Sequence, residues 1–413
     1  MAFAFPSLQR FDRNVYLLIA SSSLGTLSFL GSHSLLRVLY VLRLGYSAEY
    51  LGIFSAAGAW AYSAMSVPSG ALGVRFDPRK VMMVGILIAG LGMFCLTLSE
   101  AVPQPLRLPW PILTQVITIA GWCLLSINIV PALMTVTTPQ NRNSAYALHA
   151  AVGGVGTFLG TLVGGWLPGL LAPLMGMDLD APGPYRVALV IGGVLFLLAM
   201  LPLFPVRVGH VAPRTKTKAQ GRFPFAWVMP VALYVSLSHA GWATYRSFGN
   251  AYMDQELGLS PAAIGQLTGI GQFIAIAVPL LLPRLARRRS SGWVLVMATL
   301  GIAAGLLPIG LIPHWVGAGV GNLVFLVFSA IRMPAMQIFQ MELVDATWRS
   351  LAYGAGSMAM SFGFGTMSLA GGYIIAALGY RRLFLIGAGL CTLAAMWLSL
   401  FLGKRRPTAA EEG

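Results

Sequence analysis

Long apolar runs alternate with short polar turns along nearly the whole chain. A bilayer span needs about 20 apolar residues. By that measure twelve helices are predicted. The first six cover approximately 15–42, 49–73, 80–99, 111–137, 145–172 and 184–205, and the second six 226–252, 261–283, 292–312, 316–340, 350–378 and 381–402. The longest polar interruption, Val206–Pro224, holds Arg207, Arg214, Lys216, Lys218 and Arg222. The expected organisation is a six-helix bundle over 1–205, a basic linker over 206–225, and a second six-helix bundle with a short tail over 226–413.

The two halves repeat. Leu44-Gly45-Tyr46-Ser47 through Gly52 pairs with Leu257-Gly258-Leu259-Ser260 through Gly265 at an offset of 213, and the register holds onward through Arg75/Arg288, Val81/Val294 and Gly92/Gly305. Later in each half, Arg142, Ala145, Tyr146, Gly156, Gly164 and Gly165 match Arg349, Ala352, Tyr353, Gly363, Gly371 and Gly372 at an offset of 207. Two six-helix repeats in the same orientation are related by an axis along the membrane normal. The fold class expected is an all-α polytopic membrane protein, with twelve transmembrane helices in two pseudo-symmetric six-helix bundles around a central cavity.

Composition agrees with that pattern and removes other classes. The 413 residues are 57% hydrophobic and 9% charged, and their mean hydropathy is +0.77. Soluble domains carry about 25% charge. The net charge of +15 does not imply nucleic acid, because the cations cluster between apolar runs. There they face anionic lipid and set orientation. The side holding the N-terminus, Gly73–Lys80, Asn141–Ser144, the linker, Arg284–Arg289, Arg349 and the C-terminus carries 19 of the 27 Lys and Arg. It is therefore read as cytoplasmic, with both termini inside, in a bacterial-type plasma (inner) membrane. Cys95, Cys123 and Cys391 all lie within apolar runs and show no metal or disulfide spacing.

The turn Gly70–Lys80 is basic, contains Pro78, and joins two spans. Together with the duplicated halves and the basic central loop, it resembles the major facilitator superfamily of secondary transporters over essentially the whole chain. The family signature between the second and third helices runs Gly, three residues, Asp, Arg, any residue, Gly, Arg, then Arg or Lys. Gly70, Arg75 and Arg79 fit it, whereas Val74 replaces the Asp, Asp77 the Gly and Pro78 a basic residue. The resemblance implies a cytoplasmic gate built from Gly70, Arg75, Asp77, Arg79 and the repeat partner Arg288. Without the usual Asp, either the latch differs or Asp77 serves in its place. In the fifth helix Gly156, Gly160, Gly164 and Gly165 form a small-residue stripe suited to close helix packing. The stripe matches four of six positions of the family's antiporter motif, departing at Ala147 and Thr161.

Ionisable groups inside spans mark function. His33, Arg37 and Tyr40 share a stretch of the first helix, and His239, Trp242, Arg246 and Asn250 a stripe of the seventh. Arg332 lies with Asn322 and Ser329 in the tenth, and Trp122 with Gln115 and Ser126 in the fourth. These are the helices that line the cavity in the family this chain resembles. No Asp or Glu falls in the middle of any span. Arginine in hydrocarbon costs about 2.5–3.5 kcal/mol on insertion scales, and an anion received in a watered cavity would relieve that cost. The guanidinium fork suits carboxylate or phosphate. The candidate substrate-binding set is therefore His33, Arg37, Tyr40, Trp122, His239, Trp242, Arg246, Asn250 and Arg332. It resembles the logic of the superfamily's organophosphate branch, in which arginines of the first and seventh helices clamp a phosphate.

The expected activity is secondary transport of a small solute, an organic anion by this reading, by alternating access. The partners expected are a small-molecule substrate, membrane lipid, and a coupling proton or counter-substrate, with no nucleic acid and a monomeric state. No cofactor and no metal are implied, and no ATP-binding loop of the Gly-x4-Gly-Lys-Ser/Thr type occurs. Two other transport readings stay open: a broad-specificity drug efflux antiporter and a lipid or lysolipid flippase. A membrane sensor or enzyme is disfavoured, because no His/Asp/Glu cluster has metal or acid–base spacing.

Overall fold

The computed structural model describes residues 11–138, 140–207, 225–278, 290–342 and 349–403. The linker from 208 to 224, the turn containing Arg288, and the C-terminal tail lie outside the described residues. Every regular element among the described residues is helical. The long helices are α1 (Arg13–Arg43), α2 (Ala48–Arg75), α3 (Pro78–Thr97), α4 (Pro109–Thr135), α5 (Arg142–Leu174) and α6 (Pro182–Leu198). They continue as α7 (Phe225–Gln255), α8 (Pro261–Ala277), α9 (Ser291–Leu311), α10 (Trp315–Glu342), α11 (Arg349–Leu378) and α12 (Tyr380–Gly403). The twelve predicted spans coincide with these helices to within three residues at each end, except that α6 stops at Leu198, seven residues before the predicted end, and residues 279–283 of the predicted eighth span lie outside the described residues.

Nine of the described helices are long and apolar enough to cross a membrane. The other three are α2, α7 and α8. Both α2 and α7 have ample length, at 28 and 31 residues, but their apolar character is diluted by Ser, Gly, Tyr and Trp. Helices that bury against other helices need not be uniformly apolar. α8 is apolar over the 17 residues described.

The ends of the helices show the repeat in backbone geometry. Gly45 after α1 and Gly258 after α7 both take positive φ, at 84° and 62°. This left-handed cap is accessible to glycine without a Cβ penalty, and the two residues are partners at the 213 offset. The pairing extends to packing. A Cβ on Gly92 of α3 would stand 2.7 Å from Thr118 N and 3.0 Å from Thr114 O of α4. One on Gly305 of α9 would stand 2.7 Å from Phe325 N and 2.9 Å from Gly321 O of α10. Equivalent glycines thus seat equivalent helices backbone to backbone. This fixes the register between α4 and α10 at 207, aligning Gln115 with Asn322 and Trp122 with Ser329.

By mutual contact the described residues group into two compact units. The described residues of Met1–Ser47, Trp60–Thr215 and Leu259–Gly269 form the first, and those of Ala48–Ala59, Lys216–Gly258 and Ile270–Gly413 the second. Each contains most of one sequence half and a short piece of the other. In the first unit, Gly265 of α8 meets α5, and its Cβ would lie 2.9 Å from Thr161 O and 3.0 Å from Gly165 Cα. In the second, Gly52 of α2 meets α11, with 2.7 Å to Ser368 O and 3.2 Å to Gly372 Cα. Each unit has its own apolar core. One is built around Leu18, Phe29, Met82, Ile86 and Phe196, the other around Tyr234, Leu295, Phe339 and Leu398.

Candidate functional site

In the first unit the site is built on α1. Residues Thr26–His33 form a π-helical segment within this helix, a geometry frequent at functional sites. α5 packs against this stretch through its glycines. Gly160 and Gly31 face one another, with a Cβ on Gly31 only 2.7 Å from Gly160 Cα, and Gly156 and Gly164 approach Ser23 and Ser32. Gly165 turns instead toward α8. The stripe seen in sequence therefore serves two contacts.

This packing holds an aromatic ladder. Phe29 stacks on Trp122 of α4 with centroids 4.4 Å apart and planes 9° from parallel, and its ring centroid lies 5.7 Å from that of His33. The Arg37 guanidinium lies over Phe29, 5.9 Å from its centroid, and Arg37 Nη1 donates to Gln115 Oε1 at 3.2 Å. His33 is 1% exposed, and among the described residues neither of its ring nitrogens has a hydrogen-bond partner. Tyr40, placed by sequence beside Arg37, is fully buried. Its hydroxyl lies 3.3 Å from Glu100 Oε2 and 3.4 Å from Thr97 O at the end of α3. Glu100 also pairs with Arg186 at 3.0 Å. Tyr40 thus belongs to a buried polar cluster.

In the second unit α7 plays the role of α1. Trp242 stands where the 213 repeat places Phe29. Its indole N–H donates to Ser329 Oγ at 3.1 Å, its ring stacks toward Phe325 at 6.3 Å, and Phe364 lies 5.6 Å away. Two guanidinium groups flank it, Arg246 at 5.5 Å and Arg332 at 5.9 Å from the ring centroid.

The two arginines differ sharply. Arg246 is exposed and forms no hydrogen bond or ion pair among the described residues. Arg332 is 1% exposed. Its Nη1 donates to Ser238 Oγ at 3.2 Å, and its Nη2 lies 3.3 Å from His239 Nε2. His239 Nδ1 lies 2.8 Å from the carbonyl of Val235. A carbonyl can only accept, so Nδ1 carries the proton and Nε2 is free to accept from Arg332. Arg332 is anchored within its own unit by neutral groups. Asn250 is half-buried one turn beyond Arg246.

The basic turn after α2 has a structural role of its own. Asp77 is the N-cap of α3, accepting from Arg79 N at 2.9 Å, with Pro78 at the first helical position. This pairing of cap and proline is favoured at helix starts. Arg79 Nη1 donates to Val206 O at 2.9 Å. Arg75 is exposed and lies over Phe76 at 5.5 Å, and Gly70 leaves room toward Ile127. His149 of α5 is hydrogen-bonded to Ser22 at 2.8 Å.

Sequence reasoning did not single out Phe29, Phe325 or Ser238. Phe29 could have been found, because the repeat places it on Trp242. Ser238 and Phe325 had no such signal.

The chain is similar to several known proteins over most of its length. The chain is 23% identical over 368 residues to the multidrug resistance protein MdtH of Cronobacter sakazakii, covering 86% of this chain and 85% of that one. It is 22% identical over 400 residues to MdtH of Salmonella typhimurium, covering 93% and 90%. Among solved structures, the nucleoside transporter NupG superposes with a TM-score of 0.71 at 16% identity, over 95% of this chain and 100% of that one. The D-xylose-proton symporter gives 0.71 at 16%, over 94% and 95%, and a peptide transporter POT variant gives 0.72 at 14%, over 95% and 94%. Likeness at these identities shows the fold alone. The sequence model of the Major Facilitator Superfamily matches residues 15–330 and 231–413. With nearly the whole length matched, the chain belongs to the Major Facilitator Superfamily and is an integral membrane transporter.

Proposed function

We propose that this transporter carries organic anions by alternating access, and that Arg37 in the first unit and Arg246 in the second are each points of anion contact. The observation that carries the reading is the placement of Arg246. An arginine inside a span, exposed and hydrogen-bonded to nothing among the described residues, is costly. A bound carboxylate, sulfonate or phosphate would satisfy its fork. Each unit repeats the same pairing, Arg37 over Phe29 and Arg246 over Trp242, at repeat-related aromatic positions. An aromatic ring beside each cation suits substrates that carry a flat apolar body next to the charge. The remaining members of the candidate set have supporting parts. Trp122 and Trp242 supply aromatic faces, His33, His239 and Asn250 polar groups, and Arg332 and Tyr40 buried anchors for the site helices. The cation distribution supports cytoplasmic termini in a bacterial inner membrane, with Gly70, Arg75 and Arg79 on the cytoplasmic side.

A second reading, efflux of varied drugs, is favoured by the name that the MdtH relatives carry. Transport into proteoliposomes separates the two. Labelled benzenesulfonate should move in wild type and fall at least tenfold with Arg246→Ala, while a cationic dye should not move. Dye transport that is indifferent to Arg246→Ala would reject the anion reading in favour of efflux.

A further inference from the structure

We propose that His33 takes up a proton when an anion binds at Arg37, so that the first unit binds anion and proton together. The inference rests on the anion reading above and adds a coupling ion and its carrier.

The geometry is specific. His33 closes the π-helical segment of α1 and lies one turn before Arg37. Its ring is held by Phe29, which is itself clamped by Trp122. The imidazole is buried, yet among the described residues neither nitrogen is hydrogen-bonded. Buried polar groups in folded proteins nearly always find partners, and an unsatisfied one costs about 1–3 kcal/mol. A group bound beside the ring would remove that cost. An oxyanion seated on Arg37 would do so, accepting from a ring N–H while the guanidinium holds its charge. Gln115, already at Arg37 Nη1, completes the donors through its amide.

The sign of the coupling follows from the charged groups around His33. On α1 these are Arg37, then Tyr40, bonded to Glu100, and Arg43, paired with Asp180 at 3.5 Å. α4 contributes Gln115 and Cys123 but no acid or base. α5 contributes His149, bonded to Ser22, with Arg142 and Tyr146 at its far start. α6 contributes Tyr185, under Arg43, and Arg186, paired with Glu100. Among these described groups Arg37 is the charge nearest to His33 along its own helix. With the anion absent, a second positive charge one turn from Arg37 is disfavoured. With the anion present, one negative charge faces two donors, and the imidazolium form becomes the better partner. Binding is then linked to uptake of one proton.

The test uses full-length protein in lipid nanodiscs and benzenesulfonate, an anion whose own charge is constant between about pH 5 and pH 8. Wild type should bind about tenfold more tightly for each unit of pH lowered within part of that range, as one-proton linkage requires. Calorimetry in buffers of different ionisation enthalpy should count the proton taken up, with no mutation needed. His33→Gln should give one affinity at every pH and no proton uptake, and His314→Gln, at an exposed histidine just before α10, should keep both. Arg37→Gln should abolish binding. Binding without pH dependence or proton uptake in wild type overturns the inference and leaves the anion reading standing. A pH dependence that survives His33→Gln also overturns it. Absence of benzenesulfonate binding in wild type rejects both.

Discussion

His239 holds Arg332 through its unprotonated nitrogen. Nε2 lies 3.3 Å from Nη2 of the arginine, while Nδ1 is committed to the carbonyl of Val235, 2.8 Å away on the same helix. The arginine is 1% exposed. Replacing His239 with Phe should therefore destabilise the protein by about 1.5–3 kcal/mol, the range for hydrogen bonds to charged groups. The double variant with Arg332→Met should cost less than the two single changes summed, because no buried charge is left behind. Thermal unfolding in detergent of the four proteins measures both quantities. Additive losses would show that the two residues act independently.

Gly52 and Gly265 are the repeat-related points where α2 meets α11 and α8 meets α5. A side chain at either meets backbone, with the nearest carbonyl oxygens 2.7 Å and 2.9 Å from a Cβ. Gly52→Val and Gly265→Val should each cost about 1–3 kcal/mol by overpacking. Gly389, within α12, has nothing within 4 Å of its Cβ position. Gly389→Ala should stabilise by up to about 1 kcal/mol from helix propensity. The same melting assay reads all three, and the contrast in sign is the outcome to check.

Asp77 caps α3 through Arg79 N. Asp77→Ala should cost about 0.5–2 kcal/mol, and Asp77→Asn or Asp77→Ser should restore most of it, since all three good caps present an acceptor oxygen. If Asn behaves like Ala in thermal melts, charge at this turn outweighs capping and a latch role gains support.

Phe29 and Trp122 stack nearly parallel, 4.4 Å apart. A double-mutant cycle with Phe29→Leu and Trp122→Leu should give a coupling of about 0.5–1.5 kcal/mol, the usual range for aromatic pairs. A coupling indistinguishable from zero would mean that the two rings fill space without a preference for each other.

The repeat accounts for which features were legible beforehand. Gly45 and Gly258 could be matched from sequence because a left-handed cap constrains residue type locally. Arg246, too, could be singled out, because an arginine in an apolar run is unusual whatever surrounds it. Helical spacing groups Tyr40 and Arg332 with the candidate site residues. Spacing reports only a face of the helix, and which neighbour covers that face depends on helices remote in sequence. Tyr40 is covered by the end of α3, and Arg332 by α7.

The sequence by itself determined the twelve helices, their duplication, and the charges placed where hydrocarbon penalises them. Each of these follows from local hydrophobicity or from self-comparison of one chain. Only the tertiary structure decided that Trp122 clamps Phe29, that His33 is buried with neither nitrogen bonded among the described residues, and that His239 anchors Arg332. Those facts depend on contacts between residues roughly 90 apart in the chain, such as Phe29 with Trp122 and His239 with Arg332. Helix packing sets such contacts through the glycines that bring backbones together, and no periodicity within a single helix encodes them.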